Sequence, residues 1–137
     1  MGRQASIDNR LDKALDAFNK AIELDSTVAN NYINHGNAND SLGNYKQAIA
    51  DYDKAIELNP KNAHAYANRG VTYIKLGNHN KAIADYDKAI ELNAEFALAY
   101  YNKGLAYSAF GNHNQAIADW KIAARLGLKE AQDYLKR

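Results

Sequence analysis

The sequence predicts an all-α solenoid of helix–turn–helix repeats, and three observations carry that prediction. Twelve residues, Ala48–Asn59, return unchanged as Ala82–Asn93 after an offset of 34. Two glycine series keep the same interval: Gly36, Gly70 and Gly104, then Gly43, Gly77 and Gly111. So do the aromatics Tyr32, Tyr66 and Tyr100. Self-similarity at a fixed period of this length marks a stacked array of units, each too small to bury its own apolar face. A divergent copy lies upstream at Ala14–Asp25 and a degraded one downstream at Ala116–Ala123.

Each period encodes two helices. Tyr66, Gly70, Tyr73 and Leu76 recur at three- and four-residue steps, an apolar stripe on an inner helix. Gly77-Asn78 breaks it. An outer helix follows with Ala82, Ile83, Tyr86, Ala89, Ile90 and Leu92 inward, and Asp85, Asp87, Lys88 and Glu91 mostly on the wet side. Asn59-Pro60 ends the corresponding helix one repeat earlier, because proline disfavours helix in the residue before it. A glycine inside a helix costs about 1 kcal/mol against alanine, so glycines repeated at one period point to close helix packing. Gly70 is expected to face Ala82, and Ala89 the next unit, with Tyr66, Tyr73 and Tyr86 filling the space around them.

These residues resemble the tetratricopeptide repeat (TPR). Its aromatic-x-x-Leu-Gly-x-x-aromatic, Ala-x-x-x-aromatic, Pro pattern is met by Tyr66, Gly70, Tyr73, Ala82 and Tyr86, and again by Tyr100, Gly104, Tyr107, Ala116 and Trp120. The preceding copy supplies Tyr32, Gly36, Ala48, Tyr52 and Pro60. The resemblance covers nearly the whole chain. It implies a right-handed α-solenoid whose inner helices line a concave groove, and a non-catalytic role in binding protein.

In order, residues 1–9 are polar and read as a frayed end, with Gly2 in the packing-glycine place. Residues 10–28 form a partial repeat, whose outer helix 10–24 carries Leu11, Ala14, Leu15, Phe18, Ala21 and Ile22 on one face. Full repeats are expected at 29–62, 63–96 and 97–130, with inner helices near 28–42, 62–76 and 96–110 and outer helices near 45–58, 79–92 and 113–126. Gly127 interrupts the last of these, and 128–137 reads as a capping helix with Leu128, Ala131, Tyr134 and Leu135 inward. Asn39 stands where Tyr73 and Tyr107 stand in later copies, and Asn31 replaces Ala65 and Ala99. Both are expected at a partly exposed edge.

The chain of 137 residues is 47% apolar with a net charge of +1, which suits a single TPR domain, residues 1–137, with a continuous core. Near-neutral charge gives no electrostatic case for nucleic acid. The absence of cysteine removes disulfide and thiolate chemistry. No apolar run suits a membrane helix and no signal peptide is evident, so the default setting is cytoplasmic, whether the chain is whole or excised from a larger protein.

The main functional signal is an asparagine ladder. Asn34, Asn68 and Asn102 each precede a packing glycine by two residues. A primary amide offers both donor and acceptor, so a row of them about 10 Å apart suits an extended peptide backbone. The alternative is that the amides bond within the fold. Beside the ladder the predicted groove carries Asn30, Ile33, Asn37 and Ser41, then His64, Ala67, Val71 and Lys75, then Leu98, Tyr101, Leu105 and Ser108. Tyr101 is the expected anchor, since aromatics supply much of the energy at interfaces.

Chaperone-tail-binding TPR proteins clamp two carboxylates with lysines, an arginine and asparagines. This sequence keeps Asn37 and Asn68 of that pattern but places Ile33, Leu98 and Asn102 where cations are needed, which disfavours an acidic C-terminus as ligand. His35, Arg69 and Lys103 form a basic series, with Asp51, Asp85 and Asp119 as expected structural partners. His79 and His113 are a whole repeat apart, without a third ligand at metal spacing. Asn39-Asp40-Ser41 matches a glycosylation acceptor but falls within a helix. No catalytic triad, phosphate loop or cofactor motif stands out. The expected function is therefore binding of an extended peptide or partner segment. The competing expectations are a self-assembly module that oligomerises through its repeat edges, the N-terminal edge above all, and a regulatory fragment of a larger protein.

Overall fold

The computed structural model describes residues 2–24 and 27–136, with side chains from residue 9. Among the described residues there are eight helices: α1 Gly2–Leu24, α2 Ala29–Ser41, α3 Tyr45–Leu58, α4 Ala63–Lys75, α5 His79–Leu92, α6 Ala97–Ala109, α7 His113–Arg125 and α8 Lys129–Leu135. Each inner helix (α2, α4, α6) packs most extensively on the outer helix that follows it, and next on the outer helix that precedes it. Because α2 also touches α4, and α4 touches α6, these helices occupy the tighter, concave side of the stack. The turns within the repeats depend on Gly43, Gly77 and Gly111, all at φ between 80° and 84°, a region that glycine enters without the Cβ penalty. Asn78 and Asn112 then cap the outer helices by accepting from the backbone N–H of Lys81 and Gln115.

Small residues set the approach of the helices. Ala48, Ala55, Ala65, Ala82, Ala89, Ala99, Ala116 and Ala123 are all fully buried. A Cβ on Gly36 would lie 2.7 Å from the Tyr52 ring, one on Gly70 2.7 Å from Tyr86, and one on Gly104 2.5 Å from Trp120 Nε1. The packing glycine thus faces the aromatic of its own outer helix, not Ala82, because that flat ring needs the space a side chain would fill. Ala89 does reach the next unit, packing with Ala67 and Ala99.

Several expectations are corrected. The N-terminal residues do not fray from a separate helix: α1 runs unbroken from Gly2 to Leu24, because Asn9 stands where the turn glycine stands elsewhere. Asn39 is buried, not at an exposed edge. Its amide donates to Asp51 Oδ2 at 3.0 Å and accepts from Asn44 Nδ2 at 3.3 Å. Asp85 is buried rather than wet, drawn in by Arg69. Leu76 is 44% exposed and Leu135 37%, since one lies beyond the last turn of α4 and the other at the end of the short α8. The cap is held instead by Ala131, fully buried, and by Tyr134, whose ring packs at a tilt with its centre 4.3 Å from that of Trp120.

Candidate functional site

The basic series is an internal brace. Arg69 Nε and Nη2 donate to the two oxygens of Asp85 at 2.9 and 2.7 Å, and Nη1 to Asp53 at 2.8 Å. The bond to Asp85 pushes the guanidinium pKa further up, while burial pushes the Asp85 carboxyl above its usual range against the pull of Arg69. One repeat earlier than this pair, His35 Nδ1 meets Asp51 of its own repeat. Lys103 reaches Asp87 at 3.0 Å and Asp119 Oδ1 at 3.5 Å. Burial works against its charge, but those carboxylates outweigh it and raise its pKa. A single ammonium cannot match the guanidinium fork, and Asp119 Oδ2 is left buried without a hydrogen-bond partner.

The concave face is not uniform. At the α2–α4 joint, Asn37 Oδ1 accepts from Tyr52 Oη at 2.6 Å and from Asn68 Nδ2 at 3.2 Å. Asp40 accepts from the fully buried Thr72 hydroxyl at 2.7 Å and from Lys75 Nζ at 2.6 Å. Four positions one period later read differently: Val71 for Asn37, Ile74 for Asp40, Ala106 for Thr72 and Ala109 for Lys75. With the polar clasp gone, a recess of about 200 Å³ opens between α4 and α6. Val71, Ile74, Leu105, Ala106, Ala109 and Lys75 line it, with Tyr86 and Asn102. Burial raises the pKa of the Tyr52 and Tyr86 phenols, Asp40 adding to the effect on Tyr52, so both remain neutral.

The expected site residues divide accordingly. Val71, Lys75, Asn102 and Leu105 come together at this recess. Asn68 and Asn37 are joined to each other across the first joint, and Asn34 is exposed on α2. Ile33 is 7% exposed and sits in the core with Ala48, Tyr52 and Ala55, so it offers a ligand no surface. The exposed His64 packs its ring 4.8 Å from Phe96. Leu98 is 50% exposed. Tyr101 is half-buried, its ring edge-on to the cap residue Tyr134 at 6.3 Å, with its carbonyl accepting from Trp120 Nε1 at 3.2 Å. It belongs to the C-terminal aromatic cluster. The reading of the sequence missed Ile74, Ala106 and Ala109 in the recess, and Asp40 and Thr72 in the clasp. Comparing each position with its counterpart one repeat away would have found all five.

The repeated helix pair, with a groove along its inner helices, defines a helical-repeat protein-interaction module, a scaffold that is generally non-enzymatic. A family model described as TPR repeat matches residues 36–77, and two described as tetratricopeptide repeat match 63–96 and 85–118. The chain belongs to the tetratricopeptide repeat family. It is similar to a crystal structure of MamA, with 34% identity and a TM-score of 0.80 over 89% of this chain and 71% of that one. The first TPR of Spaghetti (RPAP3), solved bound to the HSP90 peptide SRMEEVD, is 29% identical over 82% of this chain and 90% of that one, with a TM-score of 0.75. The Arabidopsis OM64 TPR domain is 28% identical over 80% and 93%, with a TM-score of 0.76. No curated protein sequence is significantly similar to the chain. None of the described helices is long and apolar enough to cross a membrane.

Proposed function

We propose that the chain binds an extended peptide or partner segment along its concave face, with an aliphatic side chain of the ligand seated in the recess between α4 and α6. The observation that carries this reading is the substitution of Asn37, Asp40, Thr72 and Lys75 by Val71, Ile74, Ala106 and Ala109 one period on, which leaves an apolar recess where the first joint is filled by its own hydrogen bonds. A leucine, isoleucine or methionine in such a site gains about 1.5–3 kcal/mol from burial. The Asn102 amide at its side supplies a donor and an acceptor for the ligand's backbone.

An acidic C-terminal tail, the kind of ligand seen in the Spaghetti structure, fits this face poorly. Of the two clamp asparagines retained, Asn37 and Asn68 are bonded to each other. The nearby cations Lys75, Arg69 and Lys103 already hold carboxylates of the fold. A peptide array probed with the intact chain and with its Leu105→Asp variant tests the proposal. Enrichment of peptides with a required aliphatic position, lost in the variant, supports it. Selection of acidic C-termini, indifferent to Leu105→Asp, overturns it.

A further inference from the structure

In each full repeat the packing glycine and the outer-helix aromatic face one another across an antiparallel hairpin. Gly36 opposes Tyr52 and Gly70 opposes Tyr86. The midpoint of the first pair is Asn44. One period upstream, Gly2 and Phe18 occupy the same two places, and their midpoint is Arg10. Here, however, there is no hairpin, since both residues lie on the single helix α1. Sixteen residues apart on a straight helix, they are separated by about 24 Å and cannot meet. The consequence shows in burial. Tyr52 and Tyr86 are each 1% exposed and Trp120 6%, whereas Phe18, Leu15 and Leu11 all remain only half-buried.

Every element that makes the turn elsewhere is missing from this joint. Asn9 replaces the positive-φ glycines Gly43, Gly77 and Gly111. Asp8 replaces Leu42, Leu76 and Phe110, and Arg10 replaces the asparagines that follow each glycine. We infer that two copies of this chain complete each other: their α1 helices pair antiparallel, with a two-fold axis near Arg10. The segment 2–8 of each copy then serves as the missing inner helix over Phe18 and Leu15 of the other. The register is that of the hairpins already in the structure. Gly2 of one copy meets Phe18 of its partner twice, once on each side of the axis. A pairing of this kind is isologous and closes at two copies. It differs from a general stacking of repeat edges because it specifies which residues meet and requires α1 to stay straight.

Sedimentation equilibrium of the 137-residue chain across micromolar to sub-millimolar concentrations tests this. The wild type is expected to form a dimer and nothing larger. Gly2→Leu, which favours helix but overfills the place opposite Phe18, should weaken dimerisation by about tenfold or more. The triple change Asp8→Leu/Asn9→Gly/Arg10→Asn installs the turn used by the other repeats and should give a monomer, as α1 folds back on itself. Circular dichroism checks that each variant keeps its helix content. If the triple variant fails to fold, Gly2→Leu decides alone. A wild type that is monomeric throughout overturns the inference. So does a dimer whose affinity is unchanged by Gly2→Leu.

Discussion

Between α2 and α4, Asp40 holds Thr72 and Lys75, and Asn37 holds Tyr52 and Asn68; between α4 and α6 the residues in the places of Asn37, Asp40, Thr72 and Lys75 are Val71, Ile74, Ala106 and Ala109. The two joints nonetheless have matching helices and matching contacts of glycine with an aromatic ring. The frame is therefore set by alanines, packing glycines and buried rings, while the residues on the concave side of each joint are free to differ. One joint uses that freedom for internal stability. The other leaves an open apolar recess. Lys75 serves both, anchored by its ammonium on Asp40 while it also lines the recess.

If the frame is common, breaking it should cost the same at either joint. Gly36→Leu and Gly70→Leu place a side chain against Tyr52 and Tyr86 at equal approach, and each should destabilise by about 3 kcal/mol or more, at or above the usual cost of overpacking. Chemical denaturation checks this, and no loss at Gly70 would contradict the packing register. The joints should part company at the next level. Asp40→Ala removes the acceptor of a buried hydroxyl and the partner of Lys75, and should cost about 1–3 kcal/mol. Conversely, grafting the clasp onto the second joint with Ile74→Asp, Ala106→Thr and Ala109→Lys should leave the helix content intact and remove peptide binding.

Smaller effects sharpen the contrast. Asn102→Ala should weaken peptide binding by about 0.5–1.5 kcal/mol for the lost hydrogen bond, whereas Asn68→Ala, whose amide is bonded to Asn37, should leave binding nearly unchanged, with little change in melting temperature for either, since Asn37 keeps Tyr52 as a donor. A collapse in melting would make the amides internal struts. Lys103→Arg would extend to the third repeat the fork that Arg69 gives Asp85, and satisfy Asp119 Oδ2. A gain of about 0.5–1 kcal/mol is expected, read by thermal or denaturant unfolding.

Much of the frame was legible because the residues that build it repeat without change. Gly36, Gly70 and Gly104 mark where rings press closest, and Gly43, Gly77 and Gly111 where the chain turns. What escaped is set by partners rather than by period. Asp85 is legible as a partner of Arg69, but its burial is not, until the pair closes to 2.7 Å and takes the carboxylate out of solvent. Asn39 looks like an edge residue until Asp51 and Asn44 close around it. Ile33 and Tyr101 lie on the helices that form the groove, but the first points into the core and the second into the cap. The recess was present in the sequence as a difference between repeats, a signal hidden by attention to what the repeats share.

The most direct test of the central claim is a methyl NMR titration with the best peptide from the array. Shifts are expected to concentrate on the methyl groups of Val71, Ile74, Leu105, Ala106 and Ala109, and to vanish when the aliphatic residue of the peptide is changed to serine. Shifts centred instead on Ile33, on the first joint or on the outer helices would contradict the account.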